Sequence, residues 1–350
     1  MDSTCVRKRW IPRVLVIGPG GFKGLKALGF LSPIEDEGLL KYVDTYCGVS
    51  VGAIISLLIV AGYEIREIVG EAATLDLFKD MENLTIKSMM DNRGFMSNEP
   101  IRKKLTQLLL NKFGVVPTLR GLYLQTGKSY IAVTLNATDD KCEIMTPFTH
   151  PNISCIDATM FSMNIPFVFY QLIYQGKTYV DGALANPYPI DYFDNGNTNI
   201  LGIYMKTTHN NEKHTDTFSI PGNKIIINRI EDNNSIPIGS YLFKIIHSLM
   251  NQRRNHIIEQ ASSCCRHVCL ETYNFDIMGY GITKEEKAQM LVDGFNEGKK
   301  FLTQLNNSQP ISIPKQMYTY PPYYNNENIS VFNQELQDTN INILSAMSLS

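Results

Sequence analysis

The 350-residue chain has no excess of positive charge: 32 Lys and Arg stand against 34 Asp and Glu, a formal net charge of -2 at pH 7. The broad electrostatic attraction that draws a protein to nucleic acid is missing, and no nucleic-acid partner is expected. Long apolar runs are missing too. The longest, residues 51–62, falls well short of the roughly 20 residues that cross a bilayer, and no apolar stretch follows the basic start MDSTCVRKRWIP as a secretory signal would require. Cysteines are few and uneven. Seven of them, an odd number, make a poor disulfide framework and read as reduced thiols of a cytoplasmic protein, at most peripheral on a membrane. One run, Cys264-Cys265-Arg266-His267-Val268-Cys269, gathers metal-capable side chains, but it lacks a second ligand pair at zinc-site spacing; no metal or cofactor is expected. No fixed period repeats, which argues against solenoids and propellers. What remains is an ordinary globular composition, 44% hydrophobic and 19% charged, in a chain long enough to bury a full core.

The first strong signal is the β-branched run Val14-Leu15-Val16-Ile17, which stops at glycines in the manner of a buried parallel strand. Helical spacing follows over residues 25–40, with Pro33 inside it and Gly38 near its end. A second short β-type run leads through Gly48-Val49-Ser50-Val51-Gly52 into an apolar helix that ends at Gly62. Strand, helix, strand, helix in that order predicts an α/β protein with a parallel sheet. Residues 63–125 read as a mainly helical lobe with breaks near 91–94 and 113–114. Residues 130–135 and 141–145 read as paired strands, and 170–174 with 178–180 as a hairpin ending at Asp181. Further strands are expected at 200–205 and 224–227, and helices at 241–264 and 284–305. The composition then turns to Asn, Gln, Tyr, Ser and Pro. The predicted organisation is therefore a basic segment over residues 1–12, one catalytic domain over 13–306 and a polar tail over 307–350.

A serine held between glycines at a strand-to-helix turn is how hydrolases expose a nucleophilic hydroxyl. Gly48 and Gly52 let the chain bend and pass close to its neighbours, and the helix directs its positive end at Ser50. The earlier cluster Gly18-Pro19-Gly20-Gly21-Phe22-Lys23-Gly24 lies at the end of the first strand. It departs from a dinucleotide fingerprint, since Lys23 stands where the third glycine belongs, and Gly127-Lys128-Ser129 fails as a Walker A loop because Leu122 replaces its first glycine. Parallel strands end on one edge, so the amides of Gly20, Gly21, Phe22, Lys23 and Gly24 can form an oxyanion hole beside Ser50, or the glycines can simply shape a turn. For the base there is Asp181, a carboxylate at the end of an apolar strand and followed by Gly182 and Ala183. It can accept a proton from Ser50 directly, or it can cap the turn. Of the six histidines, His256 is the best placed on chain order for a Ser-Asp-His triad. The apolar residues 165–174, with Met160, Phe161 and Met163, line an acyl pocket or belong to the core.

These segments in this order, GPGGFKG, GVSVGAIISLLIVAGY, ATMFSMNIP and YVDGALANPYP, resemble the patatin-like phospholipases, from about Val14 to Pro189 and more weakly to Leu302. The resemblance implies a three-layer α/β/α sandwich with a mostly parallel sheet and a dyad of Ser50 as nucleophile and Asp181 as base, without histidine. It implies an acyl-ester substrate, usually a membrane phospholipid, and no calcium requirement. Pro19 and Ala183 depart from the family's usual glycines. Two other readings compete: an α/β-hydrolase esterase with a Ser-Asp-His triad, and a catalytically silent fold that binds lipid or protein.

Overall fold

The computed structural model describes residues 10–74, 91–208, 238–273 and 282–307. The strand expected at 224–227 lies outside them, as do most of the basic segment and all of the polar tail beyond Asn307.

Strand β1 (Val14–Ile17) is apolar on both faces and fully buried, as a strand in the middle of a helix-covered sheet must be. Helix α1 (Gly24–Asp36) carries the chain back to β2 (Thr45–Gly48), which pairs parallel with β1 from Val14 opposite Thr45 to Ile17 opposite Gly48. Pro33 is accommodated inside α1, and the chain turns out of the helix at Gly38, whose φ of 76° suits glycine. Helix α2 (Val51–Val60) is apolar nearly all round and buried along most of its length, which marks a helix packed on every side. Helix α3 (Ile65–Thr74) follows. Beyond it come a short strand β3 (Gly94–Met96) and helices α4 (Glu99–Phe113) and α5 (Leu119–Thr126). Both end on a left-handed glycine, Gly114 and Gly127.

Strand β4 (Ser129–Asn136) extends the parallel sheet beside β2 and turns into the antiparallel β5 (Lys141–Met145). Helix α6 (Cys155–Ser162) is capped by Ser154, whose Oγ accepts from the Asp157 N–H at 3.0 Å. Then come β6 (Phe167–Phe169), β7 (Leu172–Tyr174), β8 (Lys177–Asp181) and β9 (Ile200–Thr208). Helix α7 (Ile238–Gln260), β10 (Cys265–Tyr273) and α8 (Lys284–Asn307) complete the described chain. The main sheet runs β10-β9-β1-β2-β4-β8-β7, with β5 also on β4, and β3 pairs with β6 in a second small sheet. Its β10-β9-β1-β2-β4 portion is parallel, and helices flank the sheet in an α/β/α sandwich. Helices α1 and α8 are in near backbone contact: a Cβ on Gly294 would lie 2.1 Å from the carbonyl oxygen of Lys26.

Two expectations are corrected. The helix expected to reach residue 264 ends at Gln260. The cysteine-histidine run that follows is strand β10, parallel to β9 from Cys265 opposite Ile200. Alternation along a strand sends neighbouring side chains to opposite faces, so the run is dispersed, and His267 meets the Tyr188 hydroxyl at 3.0 Å. The break expected near residues 91–94 is also the entrance to a strand, β3.

Candidate active site

The register around β4 explains how two distant residues meet. Ala132 pairs with Gly48 on one side and with Met145 on the other, so β2 and β5 occupy opposite edges of β4. Strand β8 pairs with the same residues of β4 as β5 does, from Thr134 to Asn136, and therefore takes the edge that β2 leaves. Strand β2 stops at Gly48, and β8 ends at Asp181 opposite Thr134, two residues further on. Ser50 is two residues past Gly48. Both chains thus reach the same spot from opposite directions.

Ser50 sits between β2 and α2 with φ 58° and ψ -125°, a conformation that L side chains rarely adopt. The turn is tight because Gly52 lies against the end of β1, where a Cβ would come within 2.1 Å of the Ile17 carbonyl oxygen. Ser50 holds the cap position of α2 but its hydroxyl makes no cap bond; it lines the same small cavity as the Asp181 carboxyl group, near enough to lower that group's pKa. Its N–H donates to the Ser162 Oγ at 3.1 Å. Ser50 and Asp181 are 5% and 4% exposed.

Asp181 is anchored from two sides. Its N–H donates to the Asn164 carbonyl at 2.9 Å, and its Oδ1 accepts the Ala183 N–H at 2.8 Å, so the carboxyl group caps the turn that follows it. Gly182 and Ala183 open a short 3-10 turn that aims this amide. Behind the carboxyl group, the rings of Phe161 and Tyr179 stack with centroids 4.4 Å apart. Burial pushes the Asp181 carboxyl up to about 7, while the Ala183 amide and the Ser50 hydroxyl pull in the other direction.

The glycine-rich turn divides in two. Lys23 donates its N–H to the Gly20 carbonyl at 3.0 Å, and Gly24 donates to the carbonyls of Gly21 and Phe22. The amides of Lys23 and Gly24 are therefore engaged inside the turn. Gly21, at φ 55°, lines both cavities that open beside Ser50. Lys23 is 4% exposed and its Nζ bonds the Thr207 hydroxyl at 2.7 Å, tying the turn to β9.

One cavity, of about 230 Å³, is walled by apolar side chains of α1, α2 and α4, including Leu28, Ile55, Leu58 and Leu105. Met163, Ile165 and Phe169 reach it. Met160 and Phe161, expected there as well, are core residues of α6. The other cavity, of about 90 Å³, is the more polar of the two: apolar side chains such as Pro187, Met205 and Met250 share its wall with Asp181, Lys23, Tyr204, His247, Asn251 and Arg254. His256, the histidine singled out from chain order, is exposed. The residues that sequence reasoning passed over are Ser162, Asn164 and Arg254. Of these, only Ser162 and Asn164 lay in a recognised motif, ATMFSMNIP. Among the described residues no three His, Cys, Asp or Glu side chains gather as a metal site, and no helix is long and apolar enough to cross a membrane.

The described chain thus places a strand-turn-helix serine and a buried carboxyl group on one cavity of an α/β/α sandwich. The family model of the patatin-like phospholipases matches residues 15–194, half of the chain, and the chain belongs to that family of lipid hydrolases. It is 30% identical over 182 residues to "Probable lipid hydrolase 463L" of Invertebrate iridescent virus 6, an alignment covering 51% of this chain and 62% of that protein. It is 26% identical over 217 residues to an uncharacterized protein of Acanthamoeba polyphaga mimivirus, covering 60% of this chain and 70% of that one. Among solved structures, VipD from Legionella pneumophila shares the fold with a TM-score of 0.52 at 14% identity, over 87% of this chain and 72% of that one.

Proposed function

We propose that the chain is a calcium-independent lipid acyl hydrolase of phospholipase A type that works through a Ser50–Asp181 dyad and an acyl-serine intermediate. The observation behind this reading is that the Ser50 and Asp181 side chains, both buried, line the same small cavity where it meets the apolar one. Asp181 takes the Ser50 proton, and Oγ attacks the ester carbonyl carbon. The amides of Gly20, Gly21 and Phe22 stabilise the oxyanion that forms. Collapse of the tetrahedral intermediate breaks the carbon–oxygen ester bond, and Asp181 returns the proton to the departing alcohol. Water, deprotonated by the same carboxylate, then attacks the acyl-serine; the Oγ–carbon bond breaks, Asp181 returns the proton to Ser50 Oγ, and the fatty acid leaves. The 230 Å³ apolar cavity holds the acyl chain. The reading includes peripheral contact with a lipid surface, supported by Ile245 and Leu249, 40% and 60% exposed and one turn apart on α7.

The test is hydrolysis of labelled phospholipid by the full chain in the presence of a calcium chelator, with Ser50→Ala, Asp181→Asn, His247→Ala and His256→Ala beside it. Loss of about 1,000-fold or more in the first two, with both histidine variants active, is the expected result. Abolition by either histidine variant selects the triad. Absence of both fatty-acid release and phosphonate labelling of Ser50 in the wild type selects the silent fold.

A further inference from the structure

The polar cavity contains a cation without an anion. Arg254 is 7% exposed, its guanidinium lies over the Tyr204 ring at 4.7 Å, and its Nε is buried without a hydrogen-bond partner. The hydrogen bond given for the group is a long one, Nη2 to the Asn255 Oδ1 at 3.3 Å. The neighbouring Arg253 shows the usual arrangement, with Asp191 accepting from it at 2.9 Å. Among the described residues no carboxylate pairs with Arg254. The groups that would favour its charged form by becoming anions are Tyr204, Cys269 and Tyr188. Burial holds all three thiol and phenol protons in place at neutral pH. Asp181, the carboxyl group that shares the cavity, accepts the Ala183 N–H and is buried. A guanidinium does not shed its proton to escape burial, and an unpaired buried charge is strongly unfavourable. With no anion for Arg254 among the described residues, a ligand is the source that the cavity offers.

The position says which part of a ligand brings it. Ser50 and Gly21 line both cavities, so an ester carbonyl at Ser50 has its acyl side in the apolar cavity and its alcohol side in the polar one. The planar fork of an arginine matches the paired oxygens of a phosphoryl group. We propose that Arg254 binds a phosphoryl oxyanion on the alcohol side of the scissile ester, so that the chain selects phosphate-bearing lipids over neutral acyl esters. The selectivity half of this inference rests on the hydrolase reading above; the anion site does not.

Two measurements on the full chain separate them. The first compares kcat/KM for monomeric dibutyryl phosphatidylcholine and tributyrin, which removes surface binding from the comparison, in wild type, Arg254→Met and Arg254→Lys. The Met variant loses about 10- to 100-fold on the phospholipid and stays within about threefold on tributyrin, while Lys, which keeps the charge and loses the fork, falls between. The second measures binding of glycerophosphocholine by calorimetry, with inorganic phosphate and glycerol as comparators; Arg254→Met abolishes glycerophosphocholine binding. Equal losses on both esters, or none, in folded variants of an active enzyme make Arg254 a packing residue under Tyr204 and overturn the proposal while the hydrolase stands. A wild type that cleaves neither ester yet binds glycerophosphocholine through Arg254 keeps the anion site and removes the hydrolase. Binding of inorganic phosphate alone, with glycerophosphocholine blind to the substitution, overturns the head-group assignment. Should Arg254→Met fail to fold, Arg254→Lys decides: unchanged selectivity between the two esters rejects the proposal.

Discussion

Two cavities meet at Ser50, and they are built differently. The apolar one is walled chiefly by helices from the first third of the chain, whose buried residues recur at helical spacing, with Met163, Ile165, Phe169 and Leu291 adding to the wall. The polar one draws on the glycine turn, the end of β8, β9 and α7, segments separated by more than 200 positions. Shape and apolar area govern the first, and a few charged groups held in low dielectric govern the second. Substitutions on the two sides should therefore fail in different ways: chain-length preference on one, pH and head-group dependence on the other.

The largest separation is expected from filling the apolar side. Leu105, 3% exposed on α4, faces that cavity and is remote in sequence from the dyad. Leu105→Trp should lower hydrolysis of long-chain esters by about 100-fold, since a misplaced methylene in an apolar pocket already changes rates by about 10- to 200-fold. Butyrate esters should stay within a few-fold. A chain-length series of p-nitrophenyl esters reads the difference, and parallel losses at every length would break the division between the cavities.

On the polar side the charge of Asp181 sets the pH response. Its carboxyl group titrates at about 7, and a base must be deprotonated, so kcat/KM should rise through pH 7 and level off above it. Stability should move the other way. The folded value lies above the unfolded one, so the native state binds the extra proton between about pH 4 and 7, and stability contributed by the protonated form is lost as pH rises through that window. Asp181→Asn removes the buried charge and keeps an oxygen for the Ala183 amide. The variant should be inactive, yet more stable than wild type by on the order of 2–4 kcal/mol at pH 8, with the gap closing near pH 4. Urea titrations at the two pH values check the sign.

How much of this was visible in the sequence follows the same division. Gly48-Val49-Ser50-Val51-Gly52 was legible because its whole geometry is local: a buried strand, two glycines and an apolar helix within 20 residues. Asp181 was legible for the same reason, at the end of a strand before glycine. That they should approach each other was expected from strands ending on one edge and from the family resemblance; the route, β8 replacing β2 along one edge of β4, is a register that no local spacing encodes. Arg253 and Arg254 are adjacent in the sequence and nothing local tells them apart; one pairs with Asp191 and the other is buried. Strand β10 was masked by its Cys, Arg and His content, which pairing with β9 overrides.

A smaller effect tests the wall between the cavities. Ser162 Oγ accepts the Ser50 N–H, and both atoms are buried. Ser162→Ala leaves that amide without its partner and should lower stability by about 1–2 kcal/mol. Activity should fall by about tenfold or less, equally on long and short esters, because the change touches the turn and neither cavity. A loss confined to one class of substrate would show that Ser162 belongs to one cavity wall.

The smallest effect concerns the serine backbone itself. At φ 58° and ψ -125°, Ser50 occupies a region in which a Cβ is crowded, a strain of about 1–3 kcal/mol for a residue other than glycine. Ser50→Ala removes the hydroxyl and keeps the Cβ, so it does not relieve the backbone. Ser50→Gly loses the same hydroxyl and relaxes the turn, at an entropic disadvantage of about 0.5–1 kcal/mol in the unfolded chain. The two inactive variants share every other contact, so their difference isolates the strain: glycine should be the more stable by about 1 kcal/mol, read as a shift in denaturation midpoint at constant slope. An alanine variant as stable as the glycine one would mean that the turn holds its serine without strain. The hydroxyl would then owe its position to the bond between the Ser50 N–H and Ser162 rather than to the bend between Gly48 and Gly52.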